Sequence, residues 1–162
     1  MVLKNIGKNL EFIDETKAHN NFLYSLYAST REDELNMSPM SALEKKAFLE
    51  QQFELKQKDY HSKHRDGKFL IIKRKKKDIG RLVYKITDKL YLIDIALVKK
   101  SRSSGFGKEI LNSFISFAKE NKKSFQLSVA MDNLKAIKLY ENMGLKMCGQ
   151  NGYYYTMEIK ND

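Results

Sequence analysis

Residues 90–108 read LYLIDIALVKKSRSSGFGK, and this stretch decides the fold. Its first part, Leu90 to Val98, is apolar except for Asp94 and is rich in residues that favour strands. A glycine-containing loop follows, and after Gly107 apolar residues recur at the spacing of a helix. The order is therefore strand, glycine loop, helix.

The glycine loop is suited to binding a phosphate group, because the first N–H groups of a helix lack partners and carry the positive end of its dipole. Gly105 and Gly107 let the backbone approach an anion without a Cβ in between. A Walker loop needs Ser or Thr where Glu109 stands, and a dinucleotide loop needs a small residue where Ile110 stands. The sequence therefore predicts a phosphate or pyrophosphate site of another kind.

A second segment has a characteristic pattern of its own. Residues 128–145 read SVAMDNLKAIKLYENMGL, which predicts a strand, a polar turn at Asn133 and a helix. Together with the loop Arg102 to Gly107, this pattern resembles the two signatures of the GNAT superfamily of acyl-CoA N-acyltransferases. Leu145 stands where the superfamily usually has an aromatic residue. The resemblance covers about residues 68–159 firmly, and the N-terminal part matches only in general layout.

The resemblance implies an α/β (α+β) fold of the GNAT type. In this fold a mixed, mostly antiparallel sheet of six to seven strands carries about four helices on its two faces. A single N-acetyltransferase domain over residues 1–162 is expected, since this length is typical of one domain. The segment LEFID predicts the first strand. Later strands are predicted at about Lys68–Lys73, Ile79–Ile86, Leu90–Val98, Phe125–Ala130, Leu145–Gly149 and Tyr153–Ile159.

Two helices are predicted after the first strand. Thr16 is a candidate cap for the first one, and the second begins at Ser38-Pro39 or at Ser41 and ends near Tyr60. The pattern breaks between them, which predicts a loop. In the superfamily this loop borders the acceptor site, so the resemblance implies that its charged residues bind substrate; a solvated polar loop is the alternative. The candidate substrate-binding residues are Arg31, Glu32 and Glu34, with Asp33 between them.

The resemblance further implies acetyl-CoA (coenzyme A) as cosubstrate. The backbone at the end of the central strand would hold the pantetheine and the thioester carbonyl, and the glycine loop would hold the pyrophosphate. For the side chains of Arg102 and Lys108, a role as ordinary exposed basic residues stays open. The candidate cofactor-binding residues are Ile95, Ala96, Leu97, Val98, Arg102, Ser103, Ser104, Gly105, Phe106, Gly107, Lys108, Asn133, Ala136 and Tyr140.

Asp94 is a candidate catalytic residue. A buried carboxylate is costly unless it is paired, hydrogen-bonded or shifted in pKa, and a poised carboxylate beside a cofactor strand can act as a general base. A purely structural pair with a neighbouring strand is the alternative. Strand alternation predicts that Asp94 shares a face with Leu92 and Ala96.

Tyr140 is the second candidate catalytic residue. On a helix it shares one face with Asn133 and Ala136. The resemblance implies that Tyr140 protonates the departing thiolate, and because a phenol has a higher pKa than a thiol, a shared hydrogen bond is the better description. An aromatic residue packed in the core is the alternative. Cys148 is predicted to be a buried structural residue, which favours direct attack by the amine in a ternary complex over a covalent enzyme intermediate.

The sequence therefore predicts an acetyl-CoA-dependent N-acetyltransferase that acts on a primary amine of a small molecule or peptide. The alternative is a non-catalytic acyl-CoA-binding or nucleic-acid-associated basic protein, because the chain carries a net charge of +10. The basic run Lys73 to Lys77 reads as a solvated hairpin tip, and no basic strand with interleaved aromatic residues favours nucleic-acid binding. Homodimer formation stays open.

Other features bound the location and the metal content. No apolar stretch approaches the ~18 residues of a membrane helix, and the start MVLKNIGKNL has no apolar signal core. With one cysteine, Cys148, the chain cannot form an internal disulfide. The sequence thus predicts a cytoplasmic protein without a membrane partner. His61 and His64 lack a third ligand nearby, so no metal site is predicted.

Overall fold

The structure is a computed structural model that describes residues 9–161. Most of MVLKNIGKNL, on which the prediction of no signal segment rests, lies outside the described residues. Seven strands and four α-helices follow one another along the described chain. They are β1 (Glu11–Asp14), α1 (Asn20–Asn36), α2 (Ala42–Lys63), β2 (Lys68–Arg74), β3 (Lys77–Ile86), β4 (Leu90–Leu97), α3 (Phe106–Glu120), β5 (Phe125–Ala130), α4 (Leu134–Asn142), β6 (Lys146–Asn151) and β7 (Tyr154–Ile159).

All seven strands belong to one sheet with the order β1-β2-β3-β4-β5-β7-β6. Only β4 and β5 run parallel, and α3 connects them, whereas the other neighbours are antiparallel. This confirms the predicted mixed, mostly antiparallel sheet and the number of helices. Within residues 9–161, the helices include none with the length and apolar character needed to cross a membrane.

The main hydrophobic core lies between the sheet and the helices α3 and α4. Its centre is a set of aromatic rings: Tyr84 meets Phe114 edge-on at 5.3 Å between centroids, and Phe114 stacks on Phe125 at 6.1 Å. Such pairs add to the free energy gained from burying apolar area. Truncating the fully buried Phe114 to alanine is expected to cost about 3–5 kcal/mol of unfolding free energy. This core holds α3 and its N-terminal loop in place.

Helix α1 is longer than the sequence predicts, so the predicted loop at Arg31 and Glu34 is wrong. The polar residues stay in the helix because they satisfy one another: Arg31 Nε donates to Glu34 at 2.8 Å. The hydroxyls of Ser29 and Thr30 each donate to a carbonyl of the preceding turn at 2.7 Å. The candidate substrate residues therefore lie on a helix that continues to Asn36.

Helix α2 uses the later of its two predicted start signals. The Ser41 hydroxyl accepts a hydrogen bond from the Glu44 N–H at 3.2 Å and so caps the first turn. The helix continues to Lys63, beyond the predicted end at Tyr60. The added turn brings the ring of His61 against Phe69 of β2, where the two rings stack at 4.2 Å between centroids.

The basic run forms the hairpin between β2 and β3. Lys75 and Lys76 occupy the turn with φ of 49° and 65°, and both are exposed. Lys73 lies in the strand, where its Nζ contacts Asp78 at 2.7 Å. The predicted solvated hairpin tip is thus confirmed.

A β-bulge in β4 changes the direction of Asp94. Leu92 lies opposite Tyr84, and Asp94 lies opposite Val83, so Ile93 is an extra residue between them. Since residues opposite each other in a ladder point to the same face, Asp94 lies on the other face from Leu92. The predicted shared face of these two residues is wrong, because strict alternation assumes a regular strand.

The parallel strands β4 and β5 separate soon after they meet. Their ladder covers only Leu90 to Leu92 and Phe125 to Leu127, whereas β4 continues to Leu97 and β5 to Ala130. Beyond the ladder, the facing backbone groups of β4 have no partner in β5. This opening in the sheet positions the site described next.

Candidate active site

One cavity of about 480 Å³ lies beside the opening between β4 and β5; we call it the loop cavity. Its walls come from the end of β4, the glycine loop, the first turns of α3, and α4. The lining residues are Thr30, Ile95, Ala96, Leu97, Arg102, Ser103, Gly105, Gly107, Lys108, Leu111, Lys135, Leu139 and Tyr140. The structure thus brings together nine of the predicted cofactor-binding residues, from three separate segments of the chain.

A second cavity of about 230 Å³ lies under α1 and α2; we call it the helix cavity. Its lining residues are Leu23, Leu26, Tyr27, Thr30, Phe53, Lys56, Gln57, Arg81, Asp94, Ile95 and Ala96. Thr30, Ile95 and Ala96 line both cavities. The two cavities therefore meet at the part of β4 that has separated from β5.

The glycine loop has the shape of an anion cradle. Gly105 precedes α3 with φ of +83°, a conformation that favours glycine. A Cβ on Gly107 would meet no described atom within 4 Å, so packing within the protein does not explain the missing side chain. The open space over Gly107, next to the partnerless N–H groups that begin α3, fits a pyrophosphate.

Arg102 connects the glycine loop to β4 and α1 through hydrogen bonds. Its Nε donates to the Leu97 carbonyl at 2.9 Å, and its Nη2 donates to Ser29 Oγ of α1 at 3.1 Å. The alternative of an ordinary exposed basic residue is therefore wrong for Arg102. Lys108, in contrast, is exposed at the edge of the loop cavity.

Asp94 contributes the acidic side chain of the helix cavity. Burial raises the pKa of its carboxyl, and the positive charges of Lys56 and Arg81 and a hydrogen bond from the Ile95 N–H oppose this rise. Within residues 9–161, Asp94 forms no ion pair with a cationic side chain. Its carboxylate is thus partly buried, forms no ion pair within the described chain and lines the helix cavity.

Arg81 is already neutralised by a partner. Its Nη2 lies 3.1 Å from the Glu15 carboxylate, both side chains are over nine-tenths buried, and its Nη1 donates to Gln57 at 2.8 Å. The guanidinium also lies over the rings of Tyr60 and Phe69. Arg81 therefore stabilises the wall of the helix cavity, and Glu15 largely neutralises its positive charge.

Lys56 is the cation of the helix cavity without a carboxylate partner among the described residues. Its Nζ lies over the rings of Tyr27 and Tyr60 at 5.3 and 5.1 Å. Burial, and then the charge of Asp94, raise the pKa of Tyr60 to about 12. Tyr60 consequently stays protonated across the neutral range.

Tyr140 lines the loop cavity and also packs against the main core. Burial raises the pKa of its hydroxyl, which makes no hydrogen bond to another described residue. In the same helix, Asn133 Oδ1 accepts from the Ala136 N–H at 3.2 Å, so this amide oxygen caps α4. Asn133 and Ala136 are not among the described residues that line the loop cavity.

Some predicted residues lie outside both cavities. Val98, Ser104 and Phe106 do not line the loop cavity within the described chain, and Phe106 lies under the guanidinium of Arg74 at 4.9 Å. The predicted burial of Cys148 is wrong, because β6 is an edge strand and the residue is exposed at a bulge.

The predicted acceptor residues also lie outside the cavities. Glu34 pairs with Arg31 near the exposed end of α1, and Glu32 lies 3.7 Å from Lys99. Arg31 is connected to the helix cavity only indirectly, since its Nη1 donates to the Tyr27 hydroxyl at 2.7 Å.

Sequence reasoning missed the wall that α1 and α2 build. Arg81 had a usable signal, because it is a charge inside an apolar strand, as Asp94 is. Lys56 and Gln57 had none, since α2 has no clean apolar stripe that would show which of its faces meets the sheet.

Comparisons with known proteins agree with this geometry. The model of the acetyltransferase (GNAT) family matches residues 20–145. A crystal structure of the PaiA N-acetyltransferase from Thermoplasma acidophilum in complex with coenzyme A is similar, with a TM-score of 0.65 and 18% identity over 93% of this chain and 98% of that one. A spermidine N-acetyltransferase from Vibrio cholerae in complex with CoA and spermine has a TM-score of 0.64 and 19% identity, over 94% and 95% of the two chains.

No curated protein matches the chain. The solved structures are too distant in sequence to carry more than the fold, but the family model covers well over half of the chain. The chain therefore belongs to the acetyltransferase (GNAT) family and is an acyltransferase with acetyl-CoA as its cosubstrate.

Proposed function

We propose that this protein transfers the acetyl group of acetyl-CoA to the primary amine of a small acceptor, directly and within a ternary complex. The observation that supports this most is that two cavities meet at Thr30, Ile95 and Ala96. The loop cavity suits the cosubstrate and the helix cavity suits the acceptor. Such an arrangement lets two bound reactants meet in one orientation, which lowers the entropic part of the barrier.

The loop cavity would hold acetyl-CoA through groups of this chain. The N–H groups at the start of α3 and the open space over Gly107 suit its pyrophosphate. The backbone of β4 from Ile95 to Leu97, which has no ladder partner in β5, suits the amide groups of its pantetheine. The cosubstrate supplies the acetyl group as a thioester, which an unprotonated amine can attack.

Asp94 is the proposed general base. An acceptor amine is an ammonium ion in solution and must lose one proton before it can form a new N–C bond. The partly buried carboxylate of Asp94 takes this proton, directly or through water, and passes it to solvent. The nitrogen loses a second proton as the amide forms. This proton balances the one that coenzyme A carries away as a free thiol.

Tyr140 is the proposed hydrogen-bond donor to the departing sulfur. Because burial raises the pKa of its hydroxyl, Tyr140 Oη holds its proton and acts as a hydrogen-bond donor rather than as a full proton source. A donor directed at developing negative charge in a site shielded from water stabilises the transition state.

The acceptor site is proposed in the helix cavity rather than at Arg31, Glu32 and Glu34. These residues use their charges on one another or on Lys99 and do not line either cavity within the described chain. Polyamines are among the acceptors to test, because a spermidine N-acetyltransferase has a similar fold.

A cytoplasmic location also stays a proposal, supported by the single cysteine of the chain.

Thiol release tests the function. The protein is mixed with acetyl-CoA and a broad panel of amines, and free CoA is followed with a chromogenic thiol reagent, with mass spectrometry of the acetylated product. Amine-dependent release that is lost in Asp94→Asn supports the proposal. CoA binding without release for any amine of the panel would favour the alternative, a non-catalytic acyl-CoA-binding protein.

A further inference from the structure

We propose that the acceptor is a small amine that also carries a carboxylate, such as an α-amino acid with an apolar side chain. It would bind in the helix cavity with its carboxylate at Lys56 and its ammonium at Asp94. This inference rests on the proposed N-acetyltransferase function and names the acceptor class for the same site.

The charges of the helix cavity are complementary to a zwitterion. Lys56 and Asp94 line the same small cavity, but no ion pair joins them. Each charge is therefore available to a ligand group of opposite sign. Arg81 is not available in this way, because the buried carboxylate of Glu15 already pairs with it.

The position of the two charges sets the direction of the acceptor. Asp94 lies on β4 next to Ile95 and Ala96, where the helix cavity meets the loop cavity. Lys56 belongs to α2, which contributes no residue to the lining of the loop cavity within the described chain. An amine held at Asp94 thus faces the loop cavity, and a carboxylate at Lys56 is directed away from it.

The remaining walls favour an apolar side chain of limited size. Leu23 and Leu26 are almost fully buried, and Phe53 packs edge-on against Tyr24 and tilted against Tyr27. At about 230 Å³ the cavity is smaller than the roughly 300–1,000 Å³ of pockets for drug-sized ligands. An amino acid with a medium apolar side chain satisfies both the walls and the volume.

A polyamine satisfies the site less well. Its further ammonium groups would lie in a cavity where Asp94 is the one acidic lining residue among those described, beside the cation of Lys56. Like charges in a partly desolvated site repel each other strongly. The cavity therefore discriminates against polycations and not for them.

Matched acceptors test the inference on the unmodified protein. Leucine, methionine and phenylalanine are each compared with the amine that lacks the carboxylate, for example leucine with 3-methylbutylamine, and spermidine is included as a polycation. We expect kcat/KM to be about 10- to 100-fold higher for at least one amino acid than for its matched amine, as a hydrogen-bonded charge pair allows. Equal or higher values for the matched amines or for spermidine would overturn the inference.

A variant pair assigns the preference to Lys56. Lys56→Met keeps the apolar stem and removes the charge, while Lys58→Met makes the same change at an exposed position of α2 that lines neither cavity. Measured on the pH plateau of each variant, Lys56→Met should lower the ratio of kcat/KM for the amino acid to kcat/KM for its matched amine about 10-fold or more, mainly through KM of the amino acid. Lys58→Met should leave this ratio as it is in the unmodified protein. A ratio that survives Lys56→Met would contradict the assignment.

The two levels of the proposal fail in different ways. If calorimetry detects CoA binding and other amines are acetylated while no amino acid is, the acceptor class is wrong and the N-acetyltransferase function stands. If the protein does not bind CoA, the proposed function is wrong and the acceptor class with it.

Discussion

Lys56 and Asp94 line one cavity with opposite charges and yet form no ion pair with each other. Burial raises the pKa of the Asp94 carboxyl, and the Lys56 charge is the first of the effects that oppose the rise. The protonation state of the proposed general base therefore depends on a lysine of α2, far along the chain.

This balance predicts the pH dependence of activity. A base must be ionised to act, so kcat/KM falls as the pH drops through the pKa of Asp94, at a higher pH than for an ordinary aspartate. Lys56→Met removes a cation that lowers this pKa, and the acid limb should move to higher pH. Tyr60 contributes no limb near neutrality, because its pKa is raised to about 12. An acid limb at the same pH in Lys56→Met and in the control Lys58→Met would contradict this reading.

Asp94→Asn should reduce kcat strongly and leave CoA binding unchanged. The amide keeps the shape of the carboxylate but cannot accept a proton, and general bases contribute about 10²–10⁴-fold to rates. Steady-state rates and calorimetry with CoA measure the two effects separately. A kcat within about twofold of the unmodified protein at its pH optimum would exclude Asp94 as the base.

Tyr140→Phe should lower kcat by about 10- to 100-fold, with little change in CoA affinity or in thermal stability. The ring still packs against the core, and only the hydroxyl, which makes no hydrogen bond to another described residue, is lost. The estimate corresponds to one hydrogen bond to a developing charge, which contributes about 1.5–3 kcal/mol. Equal kcat values for the variant and the unmodified protein would show that Tyr140 is only a core residue.

The buried pair of Arg81 and Glu15 should matter for stability. Removing one partner leaves a buried charge, so Glu15→Gln is expected to lower the unfolding free energy by about 3 kcal/mol. The double variant Glu15→Gln, Arg81→Met removes the lone charge and should recover part of this loss. Urea unfolding of both variants measures the difference. A double variant that is less stable than Glu15→Gln would contradict the expected uncompensated charge.

The two signatures predicted the fold well because they combine local chemistry with order along the chain. The glycine loop and the segment 128–145 each specify a helix start after a strand. The other predicted strands and helices follow from the periodicity of apolar residues. The end of α1 was missed because Arg31 and Glu34 read as a break in the apolar stripe, although they stabilise the helix as a pair.

The site was predicted less completely. Residues near the signatures, such as Gly107 and Tyr140, were found because backbone geometry and helical spacing locate them. The wall of the helix cavity formed by α1 and α2 was missed because it depends on how α2 lies across the sheet. No feature of the neighbouring sequence distinguishes Lys56 from other lysines. The face of Asp94 was predicted wrongly with respect to Leu92, since a bulge is a property of two strands and not of one.

Gly107→Val tests the loop without disturbing the fold. The φ of Gly107 lies outside the left-handed region, and a Cβ there meets no described atom within 4 Å. The free energy of unfolding of the variant should therefore stay within about 1 kcal/mol of that of the unmodified protein. The added side chain occupies the space proposed for the pyrophosphate and should weaken CoA binding at least about 10-fold. A destabilised variant, or one with unchanged affinity for CoA, would contradict the proposal that the glycine loop binds the pyrophosphate.

Isothermal titration calorimetry with CoA and acetyl-CoA tests the central claim most directly, since every step depends on the loop cavity holding the cosubstrate. The account predicts one site per chain with similar affinity for both ligands, weakened in Gly107→Val and retained in Asp94→Asn. No measurable heat at millimolar ligand, or equal binding by Gly107→Val, would contradict it.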